Sequence, residues 1–219
     1  MRRVLKIVLS WLIIICLPII SIGTSANMLF RLPDIYQFQM NASRVLSSYN
    51  AGGQEEKVAQ AIGKYMQYRS GEFQYQYDEE EEMALLFSKN DQEGMAGLRK
   101  RLNISLALVV LSALIVIFTY VILIKDENLE IIRIRFKMSL LLYFAGTAIA
   151  TVFSLAPALN DRMLSRTFGM LEEADLMYAI FHGGFFKYFA IANIVVSLVI
   201  TVIMMYFTWK NTKPKNIFW

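Results

Sequence analysis

Four long apolar runs, none containing Asp, Glu, Lys or Arg, constrain this chain more than any other feature. They cover residues 7–22, 104–124, 138–159 and 188–209. A hydrocarbon core of roughly 30 Å is crossed by about 20 apolar helical residues. Backbone polar groups find no water there, so the spans must be helices. Composition agrees: 56% of the 219 residues are hydrophobic and 18% charged, with mean hydropathy +0.43. A soluble domain sits nearer 45–50% apolar and about 25% charged.

Several classes are excluded. The single cysteine, Cys16, lies inside an apolar run, so no disulfide framework exists. Neither glycine-rich phosphate-binding signature occurs. A net charge of +4 and pI near 9.1 would alone suggest nucleic acid, but the basic residues cluster beside the apolar runs. There they face anionic lipid headgroups, and no nucleic-acid partner is expected.

The expected fold is an all-α integral membrane protein: four transmembrane helices with an extracytoplasmic, mostly helical insertion containing a short β-strand. Its parts are a first transmembrane helix (1–25), an extracytoplasmic domain (26–103), a second helix (104–124), a cytoplasmic loop (125–137), a third helix (138–159), an extracytoplasmic loop (160–187), a fourth helix (188–209) and a tail (210–219). Orientation follows the basic residues near the span ends. Arg2, Arg3, Lys6, Lys125, Arg133, Arg135, Lys137, Lys210, Lys213 and Lys215 fall in three short segments, which places both termini in the cytoplasm of a plasma membrane. Arg99, Lys100 and Arg101 abut the outer end of the second span against this trend. The first span has a second reading as a signal peptide, with Thr24-Ser25-Ala26 resembling a cleavage site.

Within 26–103, a helix is expected over 36–49 and a break at Ala51-Gly52-Gly53. Val58, Ile62 and Met66 at four-residue spacing predict an amphipathic helix from Gln54 to near Ser70-Gly71. Phe73, Tyr75 and Tyr77 alternate with polar residues, a strand signal over 72–77. The acidic run at 78–82 lacks the spacing and glycine of a calcium loop and reads as a solvated turn. Ser88-Lys89-Asn90-Asp91 forms a capping-box pattern opening a further helix.

His182 is the only histidine. It can serve as a base near neutral pH, or it can be an interfacial residue like the aromatics around it. Arg162 and Arg166 are flanking charges or hold lipid phosphate through paired hydrogen bonds. No cysteine- or histidine-based metal site can be built, and no cofactor is expected.

The chain resembles the lipoprotein intramolecular transacylase family of Gram-positive membranes. Three segments carry the resemblance: Leu32-Pro33-Asp34-Ile35-Tyr36-Gln37-Phe38; Phe87-Ser88 through Gly97-Leu98, similar to the family's Phe-Ser-x-x-Glu-x-x-His-hydrophobic-x-Asp-Val; and Phe181-His182-Gly183-Gly184-Phe185-Phe186, similar to its Phe-His-x-x-Phe-Phe. The resemblance implies transfer of an acyl chain from a lipoprotein's diacylglycerol to the amine of its N-terminal cysteine, using histidines from two motifs. Gly94 stands at the first motif's histidine position and Gly97 at its aspartate, and the tryptophan and Asp-Pro segment expected after Phe186 is missing. The expected site has His182 as the catalytic residue and Tyr36 and Ser88, from the matching segments, as substrate contacts, with Arg162 and Arg166 added as holders of lipid phosphate and membrane lipid or lipoprotein as partner. The alternative is a non-catalytic membrane subunit whose outer domain binds a transporter, a signalling protein or lipid.

Overall fold

The computed structural model describes residues 3–67, 73–79, 82–126, 129–156, 175–182 and 184–212. In chain order these form α1 (Arg3–Leu29), α2 (Pro33–Ser43), a 3-10 turn (Val45–Tyr49), α3 (Glu55–Gln67), β1 (Gln76–Glu79), β2 (Glu82–Leu85), α4 (Lys89–Lys125), α5 (Leu129–Leu155), α6 (Leu176–Phe181) and α7 (Phe185–Asn211). Among the described residues, α1, α4, α5 and α7 are long and apolar enough to cross a membrane. Thr24-Ser25-Ala26 is helical, inside α1. With 37 residues, α4 is about 55 Å long at 1.5 Å per residue, well beyond a bilayer's hydrocarbon thickness. The chain divides into two units, one of residues 1–26, 105–150 and 193–219, the other of 27–104 and 151–192.

The first unit is built inside out. Many large apolar residues are exposed, among them Phe118, Leu114, Ile117 and Leu141. A small apolar cluster around Ile13, Leu17, Leu123, Ile132 and Phe136 is buried, but so are Ser10, Ser21, Ser25, Ser112, Thr119, Ser139, Ser197, Thr201 and Thr208. Much of the polar set hydrogen-bonds to α7: Ser25 Oγ to the Asn193 carbonyl (3.0 Å), Thr201 Oγ1 to Ser21 Oγ (2.9 Å), Tyr143 with Ser197 (2.9 Å) and Tyr120 with Thr208 (3.1 Å). Polar residues joining apolar helices are what lipid, with no drive to bury leucine, favours. At Gly23 the helices come close, since a Cβ there would lie 2.5 Å from Val109 Cγ2.

The second unit has an ordinary apolar core of Tyr36, Met40, Leu46, Val58, Ile62, Met66, Phe73, Phe87, Met95, Leu98, Met177, Ile180, Phe181 and Phe185. Val58, Ile62 and Met66 lie on the buried face of α3 as their spacing predicts, and the expected end near Ser70-Gly71 lies outside the described residues. Gly63 is buried against Pro33, whose Cγ would sit 2.6 Å from an added Cβ.

Two expectations are corrected here. The helix expected over 36–49 stops at Ser43, whose hydroxyl bonds back to the Gln39 carbonyl (2.8 Å). Arg44 then turns left-handed (φ 51) and a 3-10 turn follows. A left-handed residue cannot continue the right-handed ladder, so the helix ends there. The strand expected over 72–77 begins instead at Gln76 and pairs antiparallel with β2, Gln76 opposite Leu85. Phe73 is buried because it packs on Tyr65 and Phe87 (centroids 4.9 and 4.1 Å), so core contact produces its place in the alternation.

Candidate functional site

The site grows from the first turn of α4, outside the uncharged run 104–124. The capping box forms there: Ser88 N–H donates to Asp91 Oδ2 (3.0 Å) and Asp91 N–H donates to Ser88 Oγ (3.0 Å). Two orphan helix-start donors are satisfied reciprocally. The other oxygen of Asp91 accepts the Met177 N–H at 2.8 Å, capping α6 from a different helix. Asp175, the residue before α6, makes no cap with its own side chain. It accepts the Ser88 hydroxyl at 2.6 Å, with Asn90 Nδ2 at 3.5 Å.

Two carboxyl groups therefore meet around one serine. Burial raises the Asp91 pKa above the usual carboxylate range, and the Asp175 charge adds to the rise, against the Met177 and Ser88 amides that pull it down. Tyr49 lies in the same field, its phenol raised first by burial and then by Asp91 and Asp175.

His182 stands at the other end of α6. Seven residues of helical rise separate it from Asp175, about 10 Å. Its N–H donates to the Tyr178 carbonyl (2.8 Å) and its carbonyl accepts Gln39 Nε2 (3.2 Å). The imidazole is exposed and stacks on Tyr178, centroids 5.3 Å apart at 15°. Gly184 follows at φ +120, a conformation that L side chains rarely adopt, and α7 starts there.

Of the residues singled out in the sequence, Ser88 is engaged with Asp175 and Asp91, at the far end of α6 from the imidazole. Tyr36 is fully buried. Its hydroxyl donates to the Phe30 carbonyl (2.8 Å), its ring contacts Phe181 and Phe185, and burial pushes its pKa far above that of an ordinary phenol. Arg162 and Arg166 lie outside the described residues. Gly94 is buried, and a Cβ at Gly97 would meet nothing within 4 Å. Asp175 and Gln39 were not singled out as site residues. The signal for Gln39 is a polar residue on the α2 face that also buries Tyr36 and Met40. No group of three or more His, Cys, Asp or Glu able to hold a metal occurs among the described residues.

A chain of four membrane-crossing helices, with a second unit that presents one histidine from an aromatic segment, is a multi-pass integral membrane protein. Residues 11–158 match the family described as lipoprotein intramolecular transacylase Lit, and the chain belongs to that family. Its fold is similar to the in meso structure of the membrane integral lipoprotein intramolecular transacylase Lit from Bacillus cereus, solved with one histidine mutated to alanine. The two share 12% identity at a TM-score of 0.70, over 98% of this chain and 96% of that one. No curated protein matches. The family match includes Tyr36, Ser88, Gly94 and Gly97 and ends before His182, which only the fold likeness reaches.

Proposed function

We propose that the protein transfers an acyl chain within membrane-anchored lipoproteins, with His182 as its single proton-transfer group. The observation that carries this reading is an exposed imidazole whose backbone is tied on both sides, to Tyr178 and to Gln39. Aminolysis of an ester moves one proton. The cysteine amine attacks the ester carbonyl, its nitrogen gives a proton to the imidazole, and the imidazole returns it to the departing glycerol oxygen as the C–O bond breaks. One base performs both transfers in sequence. Tyr36 and Ser88 support the scaffold in this reading, while Arg162 and Arg166 contact the lipid substrate. Both termini are cytoplasmic and the second unit faces outward from the plasma membrane, as the distribution of basic residues supports.

The test uses a host lacking lipoprotein N-acylation, expressing the native chain or His182→Ala, with mass spectrometry of lipoprotein N-terminal peptides. N-acylated lyso-form peptides with the native chain and a return of the unmodified amine with the variant are expected. An unmodified amine in both, at good membrane expression, removes the reading. Gly94 and Gly97, without side chains at the motif's histidine and aspartate positions, favour a second reading: lipoprotein binding without turnover. It predicts lipoprotein co-purifying with both chains and no N-acylation.

A further inference from the structure

Gln39 is 2% exposed, and its Nε2 makes one rather long hydrogen bond, 3.2 Å, to the His182 carbonyl. Its Oε1 is buried and has no hydrogen-bond partner among the described residues. A buried amide with one long bond and an orphan oxygen stabilises less than an apolar side chain of the same shape. Stability does not account for a glutamine at this place. The bond falls on the carbonyl at the C-terminal end of α6, where a helix leaves acceptors unpaired. With the N–H already held by Tyr178, it completes the fixing of His182 at φ −73 and ψ 167, which sets the direction of its Cα–Cβ bond.

We propose that Gln39 is a positioning residue: it holds the His182 backbone so that the imidazole keeps one orientation against Tyr178. The catalytic consequence rests on the acyl-transfer reading, whereas the positioning does not. Because His182 is the only histidine, labelling histidine with 13C and 15N makes every labelled signal a report on this residue. The experiment compares full-length native protein and Gln39→Met in lipid nanodiscs, with Gln39→Leu standing in if the methionine variant does not accumulate.

The His182 carbonyl signal should move upfield on losing its donor, and the imidazole signals should shift and broaden. The melting temperature should change little. With a diacylated lipopeptide substrate, kcat should fall at least about tenfold while KM holds, as expected for loss of orientation without loss of binding. Unchanged carbonyl and imidazole signals overturn the proposal whatever the activity. A large melting loss in both variants also overturns it, because Gln39 is then a packing residue. Shifted signals in a protein whose native form transfers no acyl chain support the positioning and sink the acyl-transfer reading alone.

Discussion

The two units of this protein solve opposite problems. In one, large apolar side chains such as Phe118 and Leu141 are exposed while serines and threonines are buried and bonded to each other. In the other, methionine, phenylalanine and isoleucine fill the interior, and buried polar groups such as Asp91 and Gln39 cap a helix or hold a backbone. The difference follows the contrast between hydrocarbon and water as solvents. Where the surroundings are hydrocarbon, burying leucine gains little, and close approach and interhelical hydrogen bonds hold helices together. Where the surroundings are water, apolar burial dominates and each buried polar group needs a specific partner. The residue types that build a site therefore cost most to disturb in the second unit.

That contrast can be broken by measurement. The largest effect is expected at Asp91. Asp91→Ala removes the acceptor of the Met177 and Ser88 amides together, at about 2–4 kcal/mol from a lost cap and orphaned donors, read as lowered thermal stability and faster amide exchange over 175–182. The same carboxyl gives a pH dependence. Its folded pKa lies above the unfolded one, so its contribution to stability is present below the ordinary carboxyl value of about 3.9 and is lost as pH rises through the raised value. Asp91→Asn should flatten that slope. Next comes Gly63→Ala, which forces a methyl onto the stiff ring of Pro33 and should cost about 1–3 kcal/mol, seen as a lower melting temperature. Smallest is Tyr143→Phe in the lipid-type unit, about 0.6 kcal/mol by the average for such bonds. Should refolding titrations show Tyr143→Phe matching Asp91→Ala, the contrast between the units fails.

What could be read in advance follows the range of the interactions. The spans are legible because an uncharged run needs no knowledge of its neighbours. The α3 face shows in the four-residue spacing of Val58, Ile62 and Met66, and the capping box in the three-residue spacing of Ser88 and Asp91. These are local signals. The early end of α2 turns on Arg44, whose backbone is left-handed and which no spacing pattern marks. The contacts that make the site were not legible: Ser88 and Asp175 are 87 positions apart, and Gln39 and His182 are 143 apart. No periodicity reports a pairing at that distance. Resemblance located His182 and the two glycines at motif positions, but not the residues that hold the histidine in place.

The open space at Gly97 gives this site an unusual freedom for engineering. Gly63 is locked against Pro33, where an added Cβ would clash. A Cβ added at Gly97 meets nothing within 4 Å, so an acid installed there starts from open space. The position separates two questions that mutagenesis usually confounds, what a missing group would do and what its addition would damage. The protein can thus serve as its own background for adding catalytic groups one at a time.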